Sequence, residues 1–142
     1  ATFGLSLPIS YSMAEGYVSL EIIFLYLGCI FWILAYDSYY ALCDIEDDKK
    51  ININSSPIFF GTDIQKAIML FYSLFVLIVM LLAIQNNFKL MFIGVLFLLY
   101  QGYFQNKLSQ EGKNLEAFKS NSHVGLVIAI ILFMENQSGL YS

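Results

Sequence analysis

The sequence predicts an all-α membrane bundle with four full spans and one partial span. Of its 142 residues, 58% are hydrophobic and only 13% are charged, and the mean hydropathy is +0.68. A soluble domain carries roughly 25% charged residues and cannot bury this much apolar surface at this length. The apolar residues also fall into separate stretches that approach the length of a membrane-spanning helix.

Four apolar stretches are predicted to span the membrane: residues 17–36, 67–84, 90–104 and 124–134. A spanning helix needs about 20 residues to cross about 30 Å of hydrocarbon, and the first two stretches approach this length without help. The fourth would reach only about 17 Å as a helix, so we expect it to include residues 118–123. Residues 3–9 are predicted to form a partial helix before the first span.

Three polar connections are predicted between these spans: residues 37–65, 85–89 and 105–122. The first and third each hold or border three of the seven basic residues, whereas the second holds only Lys89. Because cytoplasmic connections carry the excess of basic residues, the first and third are predicted to lie on the cytoplasmic side. Two spans separate them, which is consistent with a shared side.

The charge and the positions of the two cysteines argue against a nucleic-acid partner and against a disulfide. The net charge is −4, and all seven basic residues are lysine, which argues against a nucleic-acid partner. Cys29 and Cys43 both lie in or beside an apolar segment. We therefore expect free thiols rather than a disulfide.

The first span continues into a carboxylate-rich stretch that contains neither glycine nor proline, so the helix is predicted to continue through it. At about 100° per residue, Asp37, Asp44 and Asp48 fall within about 20° of one direction around that helix. Asp44 and Asp48 are one turn apart, and two bare carboxylates about 6 Å apart repel by about 3 kcal/mol at an effective dielectric near ~20. A divalent ion that prefers oxygen ligands, such as Mg²⁺, would relieve this repulsion.

Two alternative interpretations of the carboxylates remain open. The acidic run can be a solvated helix end, with its charge partly offset by Lys49 and Lys50. Asp37 favours a functional site, because it lies a turn or more inside the apolar boundary, where an ionised side chain is costly. The chain can also belong to a transporter or channel that binds a cation in transit. That class predicts ionisable residues in the other spans, and residues 67–84 have none.

The same stretch carries a resemblance to a known family. The pattern Y-D-x-x-Y-A-x-x-D-x-x-D-D is filled by Tyr36, Asp37, Tyr40, Ala41, Asp44, Asp47 and Asp48. This pattern closely resembles the second aspartate-rich motif of the UbiA family of intramembrane aromatic prenyltransferases. The resemblance continues through Lys50, Ser55, Phe60, Gly61, Ala117, Phe118, Asn121, Val124 and Gly125.

The resemblance implies a Mg²⁺-dependent transfer of a polyprenyl group from polyprenyl diphosphate. Within the family the chain is most similar to the enzymes of ubiquinone synthesis that use 4-hydroxybenzoate as acceptor, and a UbiA-type prenyltransferase with a different aromatic acceptor is the alternative. The implied catalytic residues are Asp37, Asp44 and Asp48; the implied metal ligands are Asp44 and Asp48; and the implied substrate-binding residues are Lys50, Ser55 and Tyr40. The implied location is the bacterial or mitochondrial inner membrane, with the active-site loops on the cytoplasmic side. The aromatic residues of the first span can line a chamber for the isoprenoid chain or face lipid: Phe24, Tyr26, Phe31 and Trp32.

Two departures from the family pattern stand out. Asn52 and Asn54 occupy positions where the family often has a glycine and a basic residue, so the diphosphate contacts of this loop can differ. The family's first aspartate-rich motif does not occur in the chain, and family members are roughly twice as long. We therefore expect residues 1–142 to be the C-terminal half of one UbiA-type domain, inactive without the N-terminal half of the same protein.

Overall fold

A computed structural model describes residues 19–51 and 64–137, together with Met13 and Tyr17. Side chains of residues 45–51 lie outside this description. The described ranges hold four helices: α1 (Leu20–Ile51), α2 (Ile64–Gln85), α3 (Met91–Gln110) and α4 (Asn114–Gln137). No strand occurs within them, which confirms the predicted all-α class. The predicted partial helix at residues 3–9 lies outside the described residues.

Three of the four described helices are long and apolar enough to cross a membrane: residues Leu20–Asp44 of α1, all of α2 and all of α4. Helix α3 does not meet this criterion, although its 20 residues would extend about 30 Å. Its lower apolarity comes from polar side chains that are buried against other helices, including Gln101, Gln105 and Ser109. Of the four predicted spans, three therefore coincide with helices that are apolar enough to cross a membrane, and the third span, at α3, does not.

The helices form a ring in which each packs on its neighbour in sequence and α4 returns to α1. At one end, Gln65 at the start of α2 donates to the Ser109 hydroxyl near the end of α3, at 3.5 Å. At the other end, Gln85 donates to the Glu21 carboxylate at 2.9 Å. The start of α2 and the α3–α4 turn thus lie at the same end of the bundle, which agrees with the shared side predicted from the lysines, and the cytoplasmic assignment stays a prediction.

The predicted polar connection at residues 105–122 is wrong. Helix α3 continues to Gln110, and α4 already begins at Asn114, so only three residues connect them. The turn is made by Gly112, whose φ of 74° suits a residue without a side chain. The interpretation failed because it equated polar composition with exposure to water.

The polar side chains of this region are buried between α3 and α4. The amides of Gln101 and Gln105 both donate to the Ser120 hydroxyl, at 2.9 and 3.1 Å. The hydroxyl of Ser109 donates to the Asn114 side chain at 2.6 Å. Buried polar groups are tolerated when they are hydrogen-bonded to one another, and inside a bundle these pairs hold neighbouring helices together.

The first turn of α3 is capped by a carboxylate from α4. Leu90, the residue at the cap position, provides no side-chain hydrogen bond. Instead Glu135, only 1% exposed, accepts hydrogen bonds from the backbone N–H groups of Lys89, Leu90 and Met91 at 2.8, 2.7 and 3.2 Å. A buried carboxylate is stabilised by several N–H donors and by the positive end of a helix dipole. Glu135 therefore ties the end of α4 to the start of α3.

The substitution Glu135→Gln is expected to lower the thermal stability of the detergent-solubilised protein by several degrees. It removes the negative charge and leaves at least one backbone donor poorly paired, which costs about 1–3 kcal/mol. Glu116→Gln, which removes an exposed carboxylate from the first turn of the same helix, is the control and should change the midpoint much less. Equal midpoints for the two variants would contradict a capping role.

The α2–α3 seam depends on the absence of a side chain at Gly102. The hydroxyl of Tyr72 donates to the Leu98 carbonyl at 3.0 Å, which brings its ring against α3. A Cβ atom at Gly102 would lie 2.6 Å from that ring, closer than a carbon–carbon contact permits.

Gly102→Ala is therefore expected to destabilise the fold by about 1–3 kcal/mol, because the packed ring has to move. Gly125→Ala is the matched control, since its Cβ would meet Trp32 at an ordinary 3.4 Å. Chemical or thermal unfolding of the two variants checks this. If Gly102→Ala is as stable as Gly125→Ala, the ring of Tyr72 is not packed tightly against Gly102.

Candidate functional site

The aspartate-rich motif lies on an uninterrupted helix. Helix α1 runs from Leu20 to Ile51 without a break, and its continuation through residues 36–50 was predicted from the absence of glycine and proline in that stretch. Its 32 residues extend about 48 Å, whereas the hydrocarbon core is about 30 Å thick. The last third of α1 therefore projects beyond the apolar region, and Asp37 lies near the boundary.

The carboxylate side of α1 is turned away from the described bundle. Ala35 and Tyr39 are 1% and 2% exposed and form part of the core. Each of these two residues lies about 160° from Asp37 around the helix axis, one clockwise and the other anticlockwise. Asp37 and Asp44 are both exposed. Their common side therefore faces outward from the four helices.

The spacing along α1 limits which aspartates could share one metal ion. Asp37 and Asp44 are about 10.5 Å apart along the axis, too far for one ion to bind both directly. Asp48 follows Asp44 by one helical turn, within α1, but its side chain lies outside the described residues. Among the described side chains, no three His, Cys, Asp or Glu residues form a group that could hold a metal ion. Asp44 and Asp48, with oxygens from substrate or water, match the ligands that Mg²⁺ prefers.

Tyr40, predicted to bind substrate, lies beside the carboxylates at the α1–α4 contact. Its side chain is 49% exposed, and its ring centroid is 5.4 Å from that of Phe118 on α4. Tyr36, one turn earlier, lies 5.9 Å from the same Phe118 ring. These three rings form an aromatic wall next to the outward-facing side of Asp37, a suitable surface for an isoprenoid group or a cation.

The other two predicted substrate-binding residues cannot be located against this wall. Lys50 belongs to α1, but its side chain is not described, and Ser55 lies outside the described residues altogether. The Phe60 and Gly61 positions of the family pattern also lie outside them. The contribution of Lys50 and Ser55 to substrate binding stays a prediction.

The aromatic residues of the first span differ in how far they are exposed. Phe24 is 48% exposed. Phe31 and Trp32 instead stack inside the bundle on two rings of α2, Phe71 at 6.2 Å and Phe75 at 5.7 Å. Phe31 and Trp32 are half-buried, and the assignment of these residues to a chamber or to lipid stays a prediction.

Trp32 also makes a polar contact that the sequence reasoning missed. Its indole N–H donates to the Asn121 side-chain oxygen on α4 at 3.1 Å. Asn121 is 7% exposed. The only sequence signal was its place in the family pattern, because nothing local links residues that are 89 positions apart.

A cavity of about 270 Å³ lies at the opposite end of the bundle from Asp44. Its lining is almost entirely apolar and comes from all four helices and the α2–α3 turn, including Leu25, Phe88 and Ile128. Leu25 and Asp44 are about 29 Å apart along α1. The cavity therefore does not contribute to the chemistry at the aspartates.

Comparison with known proteins identifies sequences similar to this one. The sequence profile of the UbiA prenyltransferase family matches residues 1–133. A 4-hydroxybenzoate octaprenyltransferase from Francisella tularensis subsp. mediasiatica is 31% identical over 137 residues, which cover 94% of this chain and 48% of the relative. A protein of the same name from Escherichia coli O45:K1 is 32% identical over 141 residues, with the same two coverages.

The chain spans about half the length of these curated relatives. No solved structure gives a significant match to it.

Proposed function

The chain belongs to the UbiA prenyltransferase family, and from this premise we propose that the complete protein transfers a polyprenyl group from polyprenyl diphosphate to the ring of 4-hydroxybenzoate, a step of ubiquinone synthesis. The proposed acceptor and donor rest on relatives named 4-hydroxybenzoate octaprenyltransferase, which align with 94% of the chain. The observation that carries the chemistry is the unbroken helix α1, which keeps the aspartates of the motif in register.

Asp44 and Asp48 are the proposed metal ligands. When bound there, Mg²⁺ would neutralise the diphosphate and make it a better leaving group. Asp44 is the last residue of the apolar part of α1 and Asp48 lies one turn beyond it, where a charged diphosphate can reach them from water. Lys50, two residues after Asp48 on the same helix, is proposed to add positive charge for the diphosphate oxygens.

The reaction breaks the bond between the allylic carbon and the diphosphate oxygen, and the electron pair leaves with the diphosphate. The electron-rich ring carbon beside the phenol hydroxyl then bonds to the allylic carbon, and the ring loses a proton to restore aromaticity. Asp37 lies two helical turns before Asp44 on α1, and the rings of Tyr40 and Phe118 pack together beside this part of the helix. We propose that they stabilise the positive charge that develops on the allylic carbon.

The rest of the protein is proposed to complete the site. Asp37 and Asp44 face away from the described core, so the opposite wall of the site has to come from elsewhere. We propose that it comes from the N-terminal half of the same protein. By the lysine distribution, the aspartates would lie at the cytoplasmic end of an inner-membrane protein.

A cation transporter is less well supported by the described helices. It would need ionisable groups that lead through the bundle. Glu135 is a buried carboxylate of α4, but its two oxygens already accept three backbone hydrogen bonds at the end remote from Asp44. This carboxylate therefore serves as a helix cap rather than as part of a cation path.

Asp44→Asn and Asp48→Asn, each made in the full-length protein, are expected to reduce prenyl transfer by at least about 100-fold, because each removes a metal ligand. The measurement is incorporation of labelled polyprenyl diphosphate into 4-hydroxybenzoate by isolated membranes, over a range of Mg²⁺ concentrations. Glu111→Gln, an exposed carboxylate in the α3–α4 turn at the same end, is the control and should keep wild-type activity. Wild-type turnover by either aspartate variant would exclude that residue from the mechanism.

A further inference from the structure

We infer that Trp32 and Asn121 are positioning residues, whose hydrogen bond holds α1 at the angle that presents the motif carboxylates to the prenyl diphosphate. The inference rests on the proposed function, since it concerns how the same site is aligned. Neither residue is proposed to touch the substrate or the metal.

The Asn121 side chain is held in one orientation by its own helix. Its amide nitrogen donates to the carbonyl oxygens of Ala117 and Phe118 at 3.3 and 3.2 Å. The side-chain oxygen is thereby turned outward from α4, where the indole N–H of Trp32 donates to it at 3.1 Å. A buried acceptor with a fixed direction selects one position for its donor.

The Trp32 indole is fixed on its other sides as well. It stacks on Phe75 of α2, with 5.7 Å between ring centroids and 16° between the planes. The indole also makes an edge-to-face contact with the ring of Tyr36 on α1, with 5.7 Å between the ring centroids. On α4, Gly125 lies directly against the indole, since a Cβ there would be in ordinary contact with its Cη2 atom at 3.4 Å. Trp32 therefore joins α1 to both α2 and α4.

This contact is close enough to the carboxylates to control their direction. Trp32 precedes Asp37 by five residues, about 7.5 Å along α1. Beyond it, Tyr36 and Tyr40 follow at intervals of four residues and both pack on Phe118. Because Asp37 and Asp44 are exposed, their placement depends on how α1 is rotated against α4.

A small rotation has a large effect at this distance from the axis. Side-chain ends lie about 5–6 Å from a helix axis, so a rotation of about 10° moves a carboxylate by about 1 Å. A misplacement of about 1 Å can lower a rate by about 100-fold. The hydrogen bond of Trp32 to Asn121 is the polar contact that resists such a rotation, since stacked rings alone permit sliding.

The test uses the full-length protein with Trp32→Phe, Asn121→Leu and the double variant. Each single variant is expected to raise the half-saturating Mg²⁺ concentration by about 5- to 10-fold, the equivalent of one hydrogen bond. The double variant should be no worse than either single variant, because both remove the same bond. Direct Mn²⁺ binding, measured by electron paramagnetic resonance in the presence of inorganic diphosphate, should weaken by a similar factor.

Unchanged metal affinity in both single variants, or effects that multiply in the double variant, would overturn the inference. Thermal unfolding identifies any variant that fails to fold. Gly125→Val then provides a second perturbation, because it displaces the indole while keeping both hydrogen-bonding groups, and it should also weaken Mn²⁺ binding. Ser122→Ala, whose exposed hydroxyl bonds only to the Lys119 carbonyl of its own helix, is the control and should match the wild type.

The outcomes separate this inference from the proposed function. If the wild-type protein shows no Mg²⁺-dependent prenyl transfer, the proposed function fails. If the wild type is active and binds Mn²⁺, while all the Trp32 and Asn121 variants bind it equally well, only the positioning role fails.

Discussion

The continuity of helix α1 across the membrane boundary is the constraint on which the rest of the structure depends. One helix has to bury Ala35 and Tyr39 in the bundle and also carry carboxylates at the aqueous end. A helix can do both only because its period separates the two sets onto opposite sides. A break between them would free the aspartates from the orientation that the core imposes.

The bundle keeps this helix in place with polar contacts as well as apolar ones. In a membrane, burial of apolar surface does not by itself drive helices together, so packing and hydrogen bonds between helices carry more of the specificity. Three side chains of α4 in the described part of the chain make such hydrogen bonds: Glu135 at the end remote from the motif, Ser120 to α3, and Asn121 to α1 near the aspartate motif. Each joins elements that are separate in the chain.

Sequence reasoning predicted what depends on local pattern. The helical class, the continuation of α1 and the shared exposed side of Asp37 and Asp44 follow from composition and helical period alone. It failed for residues 105–122, because hydropathy cannot distinguish a polar side chain in water from one paired inside a bundle. It missed the Trp32 contact for a related reason: a bond between residues 89 positions apart depends on packing that no local pattern encodes.

The central claim is that the motif carboxylates share one side of an intact helix, and a nitroxide scan of residues 35–48 in the full-length protein tests it most directly. Each position is labelled in turn in a background without the native cysteines, and its accessibility to a water-soluble nickel chelate is measured. Accessibility should rise and fall with a period of about 3.6 residues, with maxima near positions 37, 41, 44 and 48 and minima near 35, 39 and 42. A loss of this period after position 37, or maxima at 44 and 48 out of phase with each other, would contradict the account.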